Sequence, residues 1–350
     1  MNLLIWLGFL FFVLAMVLLD LGVFHRKAHT IGIREALSWT LLWIAMALAF
    51  NVLVYFLYEH NAGDWARLET RQLTGGEAAV QFFTGYVLEK SLSIDNVFVM
   101  AMIFAYFGIP LSQQHRLLFW GILGAIVLRG VMIGLGATLI ERFEWVIYVL
   151  GLLVLASAVK LMITREDSIE PDRNLVIRVV RWFYPVHHEA VGGRFFTRLD
   201  GRLAVTPMFL ALVLIETTDV MFAVDSIPAV FAVTRDPFLV FTSNIFAILG
   251  LRSMYFVLAG FIDKFRYLKM SLVFVLAFVG VKMLLAHHVP IPNVASLACI
   301  AGILAVGVLA SIVRTRRDAT ALAASRRYDP QRPGSPLVAP SAAGPHPPVE

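Results

Sequence analysis

Glu89-Lys-Ser-Leu-Ser-Ile-Asp95-Asn96-Val97-Phe98 and Asp219-Val-Met-Phe-Ala-Val-Asp225-Ser226-Ile227-Pro228 carry one pattern twice: an acid, five residues, an Asp, a small amide or hydroxyl residue, then a β-branched residue. Each lies in a run apolar enough to cross a bilayer. An arginine and then a lysine follow in later apolar runs, Arg129 and Lys160 after the first copy, Arg252 and Lys282 after the second. Asp95 to Arg129 is 34 residues and Asp225 to Arg252 is 27, while Arg129 to Lys160 is 31 and Arg252 to Lys282 is 30. Acid, Arg and Lys recurring in register predict an internal repeat. Each unit holds three helices, an odd number, so the second copy enters the membrane from the opposite side. This is the inverted-topology arrangement that sets a transport site near the midplane between halves.

The surrounding composition demands lipid as solvent. Hydrophobic residues make up 59% of the 350 positions, charged residues 15%, and mean hydropathy is +0.79. A soluble domain so composed would expose large apolar patches. Nine stretches reach the roughly 20 residues that a bilayer core requires: 3–23, 37–58, 78–107, 117–140, 145–163, 205–233, 238–262, 270–286 and 294–313. The expected fold is therefore all-α, a polytopic membrane helix bundle of about nine transmembrane helices. Residues 1–77 hold the first two, 78–163 the first three-helix repeat, 164–204 a cytoplasmic connection, 205–287 the second, inverted repeat and 288–315 the last span. Residues 316–350, with seven of the fifteen prolines in the last 21 positions, read as a disordered cytoplasmic tail.

Orientation follows from Lys and Arg. Twenty fall on one set of alternate connections and four on the other, which puts the N-terminus outside and the C-terminus in the cytoplasm. The same bias accounts for the pI of 9.4 without a nucleic-acid partner. The Arg-rich connection, with Trp182, Phe183 and Tyr184, is expected to lie along the headgroups as an amphipathic segment. Met1-Asn2-Leu3-Leu4 lacks the positive n-region of a signal peptide, so the first helix is expected to be retained.

A charge at the centre of a spanning helix costs about 2.5 to 3.5 kcal/mol on insertion scales, so Glu89, Asp95, Asp219 and Asp225 are expected to face the protein interior. Glu216, three residues before Asp219, shares its face. Six residues along a continuous helix turn through roughly 600°, which leaves the two acids of each motif on different faces; a broken helix would bring them together, and Pro228 favours a kink just after Asp225. Five acids, with Glu216, match five bases, Lys90, Arg129, Lys160, Arg252 and Lys282, and such a set can close as structural ion pairs. Function is favoured because buried pairs rarely stabilise more than apolar packing does and because groups this costly mark ion or proton pathways. The available ligands are oxygens: the carboxylates, the Asn96 amide, and the hydroxyls of Ser91, Ser93, Thr217, Thr218 and Ser226. With neither Cys nor His in either motif helix, they point to Mn²⁺, Mg²⁺ or Ca²⁺ over copper or zinc. Met100 and Met221 lie nearby; a thioether ligand tilts the choice to manganese, whereas ordinary packing is the commoner role. Lys160 and Lys282 are placed to pair with the carboxylates when metal is absent, an antiport-like switch.

At these motifs, the second extended to Thr218-Asp-Val-Met-Phe-Ala-Val-Asp-Ser-Ile-Pro-Ala229, the chain resembles the TerC family of integral membrane proteins, its Alx branch included, from about residue 2 to residue 315. The resemblance implies a bacterial inner-membrane protein that exports manganese, from a family linked by name to tellurite resistance. It implies that Glu89, Asp95, Asn96, Asp219, Asp225 and Ser226 handle the metal, with Arg129, Lys160, Glu216, Arg252 and Lys282 in coupling or ion-pair roles. A carboxylate-lined site repels the tellurite anion, so resistance would follow indirectly, through metal balance. No resident cofactor is expected, and the partners are a divalent ion and the lipid bilayer; the sequence fixes no oligomeric state.

A membrane-protein assembly or insertion factor, with the acids as a structural polar network, is the alternative. An enzyme is not expected. No His-Glu-x-x-His occurs, His187-His188-Glu189 sits in a connection without the second ligand spacing, and two acids six apart on one helix do not form an aspartyl dyad.

Overall fold

The computed structural model describes residues 3–24, 32–60, 73–163, 174–187, 193–199, 201–258, 268–286, 289 and 291–327. Eleven helices and one hairpin follow in chain order among them: α1 (Leu3–Phe24), α2 (Ile33–Glu59), α3 (Gly75–Tyr106), α4 (Leu111–Arg142), α5 (Val146–Ile163), α6 (Leu175–Phe183), β1 (Phe196–Leu199), β2 (Arg202–Val205), α7 (Pro207–Phe231), α8 (Pro237–Leu249), α9 (Leu251–Leu258), α10 (Leu268–Leu285) and α11 (Asn293–Arg327). The chain is an all-α polytopic membrane protein. Five helices among the described residues are long and apolar enough to cross a bilayer, and α8 with α9 makes a sixth. The expected nine is not reached on that criterion. One reason is the motif itself: every 18-residue window of α3 carries three charged residues.

Local signals start the helices where the polar residues require. Thr74 accepts from the Glu77 amide while the Glu77 carboxylate accepts from the Thr74 amide, a reciprocal cap for α3. Asp236 caps α8 through the amides of Phe238 and Leu239, with Pro237 at the first helical position. The Tyr58 hydroxyl donates to Asp236 at 2.6 Å and so ties α2 to that cap.

The helices of the two expected repeats pack crosswise. α3 lies against α8 and α7 against α4; α3 also meets α7, and α5 meets α10. Exchanging the α3–α5 triplet for α7–α10 maps these contacts onto one another. At the α5–α10 crossing two glycines face each other: a Cβ on Gly280 would stand 3.1 Å from the Gly151 carbonyl oxygen, and one on Gly151 would stand 3.4 Å from that of Gly280. Only a missing side chain permits backbones this close. α2 covers α3 and α9, and α11 covers α10 and α3. Phe9, Phe50, Phe82, Phe238 and Phe246 interlock α1, α2, α3 and α8, with Phe50 and Phe246 ring centroids 4.7 Å apart.

Three expectations are corrected. Neither motif helix is broken: α3 runs unbroken through Asp95, and α7 through Asp225 and Pro228. Pro228 lies in the last turn, where its lost N–H removes a single intrahelical bond. The break falls at Gly250, where α8 and α9 diverge by 42°. Next, the connection expected to be one amphipathic segment holds α6 and a hairpin pairing Phe196 with Val205 and Leu199 with Arg202. Gly201, at φ 77°, makes that tight turn possible. α6 turns Ile177 into the core and leaves Trp182 and Phe183 exposed. Finally, α11 continues through residues 316–327, part of the expected disordered tail. Ala, Leu and Arg dominate that stretch and the next proline is Pro330, so helix propensity carries it on. Residues 328–350 lie outside the described residues.

Candidate functional site

Arg129, fully buried in α4, draws the first acid of each motif to itself. Its Nη2 donates to Asp219 Oδ1 at 2.9 Å and its Nε to Asp219 Oδ2 at 3.2 Å, a two-pronged pair. Its Nη1 donates to Glu89, to Asn244 Oδ1 at 3.0 Å and to Ser226 Oγ at 3.4 Å. Asn96 adds Nδ2 to Asp219 Oδ1 at 3.2 Å. Glu89, Asp219, Asn96, Ser226 and Asn244 are all buried. Two carboxylates share one guanidinium, so the cluster keeps one formal negative charge, and Glu89 Oε2 and Asn96 Oδ1 stay buried without a hydrogen-bond partner.

The second acid of each motif does something else. Asp95 and Asp225, both half-buried, line a cavity of about 480 Å³ where α3, α4, α5, α7 and α10 meet, with Glu89, Asn96, Arg129, Ser157, Lys160, Thr218, Met221 and Ser226 also on its wall. The Ser157 hydroxyl donates to Asp225 Oδ1. The continuous helices explain the split: acids six residues apart on an unbroken helix point different ways, so each motif gives one acid to Arg129 and one to the cavity.

Glu216 packs against α4 at Gly124, where any Cβ would collide with its carboxyl, and its Oε2 is buried without a partner. The remaining bases go elsewhere. Lys90 donates from Nζ to the Ala247 carbonyl at 3.1 Å, beside the break at Gly250. Arg252 is buried at the start of α9 and Lys282 donates to Asn293 Oδ1 at 3.2 Å; neither lines the carboxylate cavity. Thus Arg129 and Lys160 join the acids, whereas their repeat counterparts do not.

Among the described residues, no three of His, Cys, Asp and Glu converge closely enough to hold a metal ion by themselves. A cation in the cavity would have to complete its shell from Asn96, Thr218, Ser157 and Ser226. Sequence reasoning missed Ser157 and Asn244. Ser157 lies one turn before Lys160 on the same face of α5, a signal that was available; Asn244 belongs to no repeated motif and gave none. Of the two methionines, Met100 is packed in the core and Met221 is on the cavity wall.

The model of the integral membrane protein TerC family matches residues 74–319. The chain is 48% identical over 316 residues to the uncharacterized membrane protein STKORF319 of Myxococcus xanthus, covering 90% of this chain and 94% of that protein. It is 42% identical over 302 residues to an Escherichia coli (strain K12) protein named as membrane-bound redox modulator Alx, covering 86% and 92%. An uncharacterized membrane protein of Rickettsia bellii is 35% identical over 309 residues, covering 88% and 97%. No solved structure matches. With both acidic motifs inside the matched span, this chain belongs to the TerC family of integral membrane proteins.

Proposed function

We propose that the protein exports a divalent metal ion, manganese first, across the bacterial inner membrane, through the carboxylate cavity between two inverted three-helix repeats. One observation carries this reading: among the described residues, a cavity of about 480 Å³ inside the helix bundle bears Glu89, Asp95 and Asp225 together with Arg129 and Lys160, and Arg129 is already shared with Asp219. Counting Asp219, these four acids and two bases sum to a formal charge of −2, the complement of a divalent cation. The crosswise contacts of the two triplets support the repeat, and the Lys and Arg bias supports an outside N-terminus and a cytoplasmic C-terminus.

The oxygens of Asp95, Asp225, Asn96, Thr218 and Ser226 suit a hard or borderline cation. Met221, three residues after Thr218 and four before Asp225, adds a thioether to that wall; such a softer donor favours Mn²⁺ over Mg²⁺ and Ca²⁺. Lys160 lies on the same cavity wall as Asp225 and stands ready to replace the departing ion, and protons reload the carboxylates on the return step. Tellurite, an anion, is repelled by this wall, so any resistance follows from altered metal balance.

The test is efflux from proteoliposomes of the full chain, read with a manganese-sensitive dye. Wild type is expected to move Mn²⁺, with Asp95→Asn and Asp225→Asn at least about tenfold slower; unchanged flux in both would remove the proposal. A membrane-protein assembly role is favoured by one observation, the closed Arg129 cluster, which is what a purely structural network looks like. That role predicts stable Asp95 and Asp225 variants with assembly defects and normal cellular manganese.

A further inference from the structure

We infer that a second cavity, of about 220 Å³ where α5, α7, α10 and α11 meet, is a binding site for a phosphate-class oxyanion, either free phosphate or the headgroup of an anionic phospholipid. Among the described residues, the polar ones on its wall are Lys282, Arg235, Asn293 and Thr234. Every one has a hydrogen to give. Lys282, only 8% exposed, spends one of its three N–H groups on Asn293 Oδ1 at 3.2 Å; because the Asn293 oxygen accepts that bond, its amide nitrogen remains as donor. Thr234 Oγ1 accepts from the Asp236 amide at 3.2 Å, which leaves its hydroxyl hydrogen to donate. Arg235, exposed and without an ion pair among the described residues, borders the same cavity and carries a guanidinium fork.

Among the described residues no carboxylate is on the wall. The acid next in sequence, Asp236, is committed to the Tyr58 hydroxyl at 2.6 Å and to the amides of Phe238 and Leu239 at 2.9 and 3.3 Å. Among the described residues, two cationic and two neutral donor residues border one space without a counter-charge, Lys282 nearly buried and Arg235 exposed at its rim. Buried charge calls for a partner of opposite sign. An oxyanion with several equivalent oxygens matches a set made only of donors, and Arg and Lys are the side chains that recognise phosphate oxygens.

The two cavities follow one another along α7. Asp225 marks the first and Thr234 the second, about 13 Å further by helical rise, at the end of α7 opposite the Arg-rich connection that precedes it. The anion site therefore opens on the non-cytoplasmic side, by the orientation proposed above, and it stands whether or not the first cavity carries manganese.

The experiment uses the full chain in neutral detergent, with equilibrium binding of radiolabelled inorganic phosphate, and in parallel native mass spectrometry after incubation in phosphatidylglycerol–phosphatidylcholine nanodiscs. Wild type is compared with Lys282→Met, Arg235→Gln and Asn293→Ala. Loss of a charged donor is expected to weaken binding about tenfold or more, and Asn293→Ala less. Saturable phosphate binding that follows this order identifies the free anion; phosphatidylglycerol retention that follows it, without phosphate binding, identifies the headgroup. Should Lys282→Met fail to fold, Arg235→Gln and Asn293→Ala decide. Wild type that holds neither probe, or variants that hold both as wild type does, would overturn the inference.

Discussion

The Arg129 cluster and the Asp95–Asp225 cavity are built from the same two motifs and behave as opposites. In the cluster, Glu89 and Asp219 are buried and largely compensated, sharing Arg129. In the cavity, Asp95 and Asp225 are half-exposed on an open wall. A single repeated pattern thus supplies a clamp with its first acid and a cavity with its second. The lesson is that two acids in one motif need not share one job; the angular step between them along an unbroken helix assigns each to a different neighbour.

The sharpest way to break this contrast is Arg129→Met. It leaves Glu89 and Asp219 buried without their cation and is expected to cost about 3 to 5 kcal/mol of stability, read as thermal unfolding in detergent. The further change Glu89→Gln on that background should recover part of the loss. Gly124→Ala forces the Glu216 carboxyl out of its place against α4 and is expected to cost about 1 to 3 kcal/mol in the same assay; a variant as stable as wild type would show that Glu216 moves aside freely. Asp95→Asn and Asp225→Asn should lower manganese flux by about tenfold while shifting stability by less than about 1 kcal/mol. If instead they unfold the protein, the cavity acids are as structural as the clamp. The smallest effect is expected from Ser157→Ala, which removes one hydrogen bond to a half-exposed carboxylate and should change flux by about two- to fivefold, with Asp225→Asn insensitive to the added mutation.

Much of this was legible in the residues. The acid, Arg and Lys order drew attention to Arg129, which pairs with Glu89 and Asp219, and to Lys160, which lies on the cavity wall with Asp95 and Asp225, and the hydropathy pattern gave an all-α membrane protein. The symmetry that made those positions readable also misled. Arg252 and Lys282 hold the same repeat positions as Arg129 and Lys160, yet neither reaches the carboxylate cavity; matching by sequence register cannot say which copy of a pair is turned toward a shared space. The helix break was sought at Pro228 because proline removes a donor, and was found at Gly250, where the Lys90 ammonium accommodates it by donating to the Ala247 carbonyl. That contact joins residues 157 apart in the chain, which no local signal encodes. Gly201, which turns the hairpin, was a local signal of the ordinary kind, hidden by reading an Arg-rich connection for its charge alone.

α3 and α7 are rods without a joint where the acids sit, so neither carboxylate can approach its counterpart by unwinding. On the transport reading proposed above, a change in the gap between Asp95 and Asp225 larger than side-chain rotation allows is expected as a shift or tilt of a whole rod. Spin labels on the two rods, well away from the acids, should then report the same displacement at both ends or a lever-like difference between them, and never a motion confined to one turn.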